Sequence, residues 1–338
     1  MTRVTQMSNI VAFPSSSHAG AVVVSGFAWR VARRPVVLGR SAGAAAVLMK
    51  GNNSSVIFAP VTARTVAFAP PAGVTVGIST PSAGQIFPNV TCAATGTTGV
   101  CQFQTNITLN SADLLNLTEG TLDASTFNVN VSTGNFEAAG SSTRVVDCGT
   151  AAWAITGPSL DSNSLTWDYS STTGLTSNCT STPIAFTNSA PTTIRIFSMG
   201  GQTFGPITIS GAAAPSSNYP FFIEGSGATV ASLAVDAPVP VVFPANATFT
   251  ISGGITTSGG SLSAMSTMTS SSPTGTTTTS GLATISVGSN SALSWVSFFQ
   301  INFTGAGTVT ADHSIDLGHN AGVAITVPPP TNGGNHIL

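Results

Sequence analysis

Apolar and polar residues alternate in short runs along this chain, and Gly, Pro, Ser or Asn interrupts them every few positions. "STFNVNVSTGNF" puts Phe127, Val129 and Val131 on one face and Asn128 and Asn130 on the other, the two-residue period of a half-buried strand. "VCQFQTNITLNSADL" sets Val100, Gln102 and Gln104 against Cys101, Phe103 and Thr105, then shifts register near Ile107 and Leu109. "AAWAITG", "SLTWDYS" and "TTIRIFSMG" predict further short strands closed by turns. Trp153, Trp167 and Tyr169 are expected to anchor a core, where aromatic rings bury the most surface.

The pattern divides the chain. Residues 1–75 carry β-like runs at "AVVVSGFAW", "RPVVLG", "SVIFAPV" and "RTVAFAP" and predict a small β-rich domain suited to attachment or assembly. The Pro/Gly-rich "FAPPAGVTVGISTPSAG" marks a boundary near residue 75. Residues 76–200 predict a β-rich middle domain. In residues 201–327 short β-runs centre on Ile209, Leu233, Ile251, Ile285, Phe303 and Ile325, with an intermediate run around Leu262 to Met268. "TSSSPTGTTTTSG" reads as a protruding loop. A repeat of roughly 18–24 residues is one rung of a parallel β-solenoid. One rung buries little alone, whereas stacked rungs share a core and satisfy each other's backbone hydrogen bonds. The expected fold is all-β: N-terminal β-domains followed by a C-terminal parallel β-helix. Residues 328–338 form a tail that starts with Pro328, Pro329 and Pro330, which donate no backbone hydrogen bond and end the ladder.

Composition agrees with β-structure. Only 6% of the 338 residues are charged, against about 25% in an ordinary globular domain. The surface must therefore be built from Thr, Ser, Asn and Gly, which suit a pleated face and its turns better than helices. A mean hydropathy of +0.34 argues against a disordered chain. Arg3, Arg30, Arg33, Arg34, Arg40, Lys50 and Arg64 are seven of the nine basic residues, while all eleven acids lie from Asp113 onward. The basic head is too sparsely charged for a nucleic-acid patch.

The N-terminal sequence makes a poor signal peptide, because Pro14 breaks its first apolar run and arginines follow its second. Neither "AGAVVVSGFAW" nor "SAGAAAVLM" is long enough to span a bilayer. Of the three possible pairings of the four cysteines, Cys92–Cys101 with Cys148–Cys179 joins sequence neighbours. The alternative is four free, buried thiols. N-x-S/T sequons at Asn89, Asn106, Asn116, Asn178, Asn246 and Asn302 bear on glycosylation only in a secretory pathway.

"TISVGSNSALSWVSFFQINFTGAGTVTADHSIDLGHNAGVAITVPP" resembles the end of a family of right-handed β-helix modules found in bacteriophage structural proteins and bacterial surface proteins. Ala283–Val287, Ser294–Val296 and Thr304–Thr308 match its strands and turns, and Asp312, Ser314, Asp316, Gly318, Asn320 and Gly322 match its closing turn. His313 and His319 depart from it, standing where small or amide residues are usual. The resemblance covers residues 200–327 and implies a rigid spacer or receptor-facing module on a tail or cell surface.

Asp312, His313, Asp316 and His319 form the compact titratable cluster and are the candidate metal ligands. Their competing role is structural, since Asp and Asn in turns accept bonds from nearby backbone N–H groups. Glu224 and Asp236 are the acids that a solenoid could bring onto neighbouring rungs. No nucleophile elbow, phosphate-binding loop, dinucleotide fingerprint or HExxH motif occurs, so no catalytic residue and no cofactor is assigned. The expected function is a non-enzymatic virion component such as a phage tail, fibre or spike. Its partners would be other virion proteins, copies of itself in a trimer and a host surface glycan, with no nucleic acid and no membrane span. The alternatives are a bacterial surface or adhesin-like protein, and a glycan-cleaving tail spike.

Overall fold

The computed structural model describes residues 65–80, 86–157, 165–187, 194–211, 220–236, 238–271 and 281–327, with the backbone of four earlier strands, Val22–Val24, Val36–Leu38, Val47–Met49 and Ser55–Phe58. The described residues form strands and turns, and every pairing between named strands is parallel, in sequential order. The chain winds as a β-helix with three faces.

The first sheet is the longest. Its register runs Val22–Val47–Val66–Val90–Leu115–Phe136–Trp167–Phe197–Ile223. It continues through Pro240–Phe243, Ser266–Ser270, Val296–Phe299 and Ile315–Asp316, thirteen strands in all. At about 4.8 Å per strand this is a rod about 60 Å long. The ladder crosses residue 75 through the Val66–Val90 pair and residue 200 through the Ile196–Phe222 pair. The stacking expected for residues 201–327 thus extends through the middle of the chain and into its N-terminal part.

The second face carries Thr75–Ser79, Val100–Phe103, Arg144–Asp147 and Leu175–Asn178 in one sheet; beyond an isolated Cys179–Phe204 bridge it continues with Thr248–Ile251, Ala283–Val287 and Ile301–Thr304, which pair through Thr229–Asp236 into the ten-stranded sheet of the third face. The third pairs Ile107, Val131, Trp153, Ile184, Ile207, Leu233 and Ile255 in one inward column. Leu114–Asp123, Thr203–Ile209 and Thr229–Asp236 run over corners and serve two faces each.

Residues that alternate in sequence alternate in and out here, so one column of Val, Leu, Ile or Phe per face lines the interior. Each such side chain gains roughly 1.5–3 kcal/mol on full burial, but only when the next rung covers it. Trp153, Trp167 and Tyr169 are fully buried, as expected. They pack with Phe136, Phe197 and Phe204 in a stack of rings, among them Phe136–Trp167 at 4.6 Å and Trp167–Phe204 at 5.7 Å.

Two local readings differ from the sequence expectation. Phe127 is 51% exposed at the tip of a turn, because Asn128 adopts a left-handed φ of 47° and breaks the strand before Val129. The β-runs at Ile209, Leu233, Ile251, Ile285, Phe303 and Ile325 do not form one column: Ile251, Ile285 and Phe303 lie in strands stacked on Val230 before the corner of Thr229–Asp236, Leu233 lies after it, and Ile325 belongs to a separate three-stranded sheet. All faces repeat once per rung, so a mixed series shows nearly the same period. The intermediate run is present as Ser266–Ser270 on the first sheet. Most of the Thr-rich loop and the Pro328–Pro330 stop lie outside the described residues.

Asparagine side chains tie rung to rung. Asn128 Oδ1 accepts the backbone N–H groups of Thr150 and Ala151, each at 2.8 Å. Asn89 Oδ1 accepts that of Leu114, and Asn106 Oδ1 that of Asn130. In "SWVSFFQINF", Val296, Phe298, Ile301 and Phe303 point inward. Gln300, at φ 57°, turns the chain from first to second face in a single residue.

Candidate functional site

The chain from residue 65 onward has two basic residues, Arg144 and Arg195, and both are buried. Arg144 has no carboxylate partner. Its Nε donates to Ser142 O and its Nη2 to Gly140 O, Ser171 O and Thr173 O, at 2.7–3.1 Å, while Nη1 donates to Ala138 O. It fastens the corner loop of its own rung to that of the next. Arg195 donates to Ser210 O at 3.2 Å and lies 5.2 Å from the centre of the Phe221 ring. Burial pulls its pKa down to about 10, so it remains charged at neutral pH.

Five of the acids fall into two columns, in which Asp123 and Asp168 are buried among their neighbours. On the second sheet, Gln102, Asp123, Asp147 and Asn178 are in register. Gln102 Nε2 donates to Asp123 Oδ2 at 2.9 Å, and Asn178 Nδ2 donates to Asp147 Oδ1. Burial raises the Asp123 pKa, but bonds from Thr126, Gln102 and Ser125 outweigh it and hold the carboxyl below its ordinary range. Asp123 is saturated by donors and Asp147 accepts from the next rung, so these carboxylates bind loops and rungs together.

On the first sheet the register is Asn116, Glu137, Asp168, Ser198, Glu224. Ser198 separates Asp168 from Glu224, which places their backbones about 10 Å apart. Asp168 Oδ1 accepts Ser170 N–H at 2.7 Å. Partial burial, with Asp168 adding to it, pushes the Glu224 carboxyl above its usual pKa. Two carboxyls across a gap of this order, one of them with its pKa raised, are groups that could flank a glycosidic bond. This is the candidate site of the described surface. Sequence spacing could not find it, because the rungs that separate Asp168, Ser198 and Glu224 differ in length. Glu224 and Asp236, considered together from sequence, are at opposite ends of one rung, on the first and third faces.

The structure divides the sequence's titratable cluster into two pairs. His313 Nδ1 lies 2.7 Å from Asp312 Oδ1, and the His313 ring stacks on Trp295 at 4.6 Å. Asp316 Oδ1 accepts the N–H of Gly318 at 2.8 Å and a proton of Asn320 Nδ2, while His319 meets the edge of Phe299. Among the described residues no group of three or more His, Cys, Asp and Glu is placed to hold a metal ion. His313 and His319 both adopt left-handed φ angles at corners, which is how they depart from the small residues of the resembling pattern.

The cysteines pair as Cys92–Cys101 and Cys148–Cys179, with Cα separations of 6.2 Å and 5.0 Å. The first joins two faces of one rung; the second joins neighbouring rungs of the second sheet. No helix among the described residues is long and apolar enough to cross a membrane. No protein-family model, curated protein or solved structure matches the chain.

Proposed function

We propose that this chain is a non-enzymatic structural rod of a virion, forming part of a tail, fibre, spike or similar appendage. The observation that carries this reading is the single parallel ladder from Val22–Val24 to Ile315–Asp316, a geometry that holds its two ends apart at a set distance. The resemblance of residues 200–327 to β-helix modules of phage structural proteins supports the same reading. Its partners are then neighbouring virion proteins and further copies of the chain, which would cover the open ends of the stack. The test is gold-labelled antibody against the chain on purified particles. Labelling of an appendage supports the proposal, and label confined to host cell envelopes overturns it.

A second reading, a bacterial surface or adhesin-like protein, is favoured by the two disulfides, which persist in oxidising surroundings. The Asp168–Glu224 column favours a third, a glycan-cleaving spike. If that reading holds, the chain lowers the viscosity of a host polysaccharide, and Asp168→Asn or Glu224→Gln abolishes the effect with melting unchanged. If viscosity never falls, the glycan-cleaving reading is refuted.

A further inference from the structure

The outer surface of the second face carries an ordered set of hydroxyls and one amide, Asn302. Thr203, Thr229, Thr250, Ser286 and Thr304 stand in register on five successive rungs. Thr248, Thr284 and Asn302 form a second column beside them. Each of these residues is exposed or half-exposed and follows or precedes a buried Phe, Ile or Val, so the side chains point outward from the strand array. Neighbours within a column are about 4.8 Å apart, and the two columns are about 6.7 Å apart along the strand.

Elsewhere in the molecule such hydroxyls are engaged: Thr121 bonds Thr97 O, Thr133 bonds Asn135 O and Thr257 bonds Ser294 O. The hydroxyls of the array have no hydrogen-bond partner among the described residues. The array also contains no charged and no aromatic side chain. It therefore lacks the ions that would hold a nucleic acid or an acidic partner and the rings on which a sugar would stack. What remains is a set of threonine hydroxyls and methyls at fixed spacing, with Ser286 and Asn302 as the two positions that lack a methyl. Both of its repeats are of the order of the oxygen repeats of hexagonal ice, and burial of its methyl groups against a solid surface releases the water held around them.

We propose that this face binds ice: the hydroxyls take lattice positions in the first water layer, and the methyls seat in the spaces between them. The rung spacing is fixed by backbone hydrogen bonds, so the lattice exists before ice is met and little ordering cost remains. The reading is independent of where the rod is mounted.

The experiment measures thermal hysteresis and inhibition of ice recrystallisation by the full chain. The wild type is expected to show both. Thr250→Tyr, which places a bulky ring at the centre of the array, is expected to lose most of each, while Ala154→Tyr on the outside of the third sheet keeps them. Circular dichroism and melting establish that both variants are folded; should Thr250→Tyr fail to fold, Thr229→Lys takes its place. Absence of hysteresis and recrystallisation inhibition in the wild type overturns the proposal, as does equal loss in the two variants. Binding to an insoluble polysaccharide or self-association that is lost in Thr250→Tyr, without any effect on ice, also overturns it, by assigning the face to another occupant.

Discussion

Replacing Arg144 tests whether a buried guanidinium holds two rungs together. In Arg144→Met the side chain keeps much of its apolar length but supplies no donor. Five carbonyls lose a partner: those of Ala138, Gly140, Ser142, Ser171 and Thr173. Gly140, Ser142 and Thr173 are exposed and Ser171 is half-exposed, so water replaces much of what these four lose, whereas Ala138 is buried and regains nothing. A bond to a charged group contributes about 1.5–3 kcal/mol net, and a stranded buried acceptor costs about 1–3 kcal/mol. Removal of the buried charge itself offsets part of this, because burial already disfavours it and lowers the Arg144 pKa, even against the pull of Tyr169 and Asp168. A net loss of about 3–5 kcal/mol follows. For a chain of this length unfolding as one unit, that is a fall of roughly 5–7 °C in Tm.

The loss should also be local, since a rung contacts only its neighbours. Hydrogen exchange, read by mass spectrometry, is expected to speed up in residues 138–144 and 169–175 and to remain unchanged beyond residue 240. Arg144→Lys, with three donors on one atom, should recover part of the protection and stay below the wild type. If Arg144→Met melts within a degree of the wild type and both loops keep their protection, the carbonyl clamp does not hold the rungs.

Two further outcomes follow from the second sheet. The native pKa of Asp123 is depressed, so its carboxylate contributes stability that is complete above the ordinary carboxylate pKa of about 4 and is lost as pH falls through the lower native value. Chemical denaturation from pH 6 to 2 should therefore show a steeper acid loss in the wild type than in Asp123→Asn; identical slopes would show that the bonds from Thr126, Gln102 and Ser125 do not set it. Removing Cys148–Cys179, which closes a separation of 31 residues, should cost about 3.7 kcal/mol, and removing Cys92–Cys101, which closes 9, about 2.6 kcal/mol. Paired-alanine variants melted under non-reducing conditions check the order, and a larger loss from the shorter loop would refute the chain-entropy account.

The alternation of side chains was legible in the sequence, because burial on a strand has a period of two and leaves its mark within five or six residues. The face of Val129 and Val131 was read on that basis, whereas Trp153, Trp167 and Tyr169 were placed in the core by the surface their rings bury. Register was not legible. The first sheet returns after as few as 18 residues, from Phe298 to Asp316, and after as many as 31, from Phe136 to Trp167. The length of a corner loop carries almost no energetic penalty, so nothing local announces which rung a strand will stack on. Every feature that depends on stacking was therefore hidden: the Asp168–Ser198–Glu224 column, the hydroxyl array and the separation of Asp312 and His313 from Asp316 and His319.

The same cause governs the surface charge. A formal net charge of −2 suggests a nearly balanced exterior. Among the described residues from 65 onward, though, Arg144 and Arg195 are enclosed, and the exterior is left to the acids other than Asp123 and Asp168, to histidines and to neutral polar groups. Two such surfaces repel one another weakly along their length. Side-by-side packing of such surfaces is therefore disfavoured along the described length, and a neighbour of opposite charge is favoured.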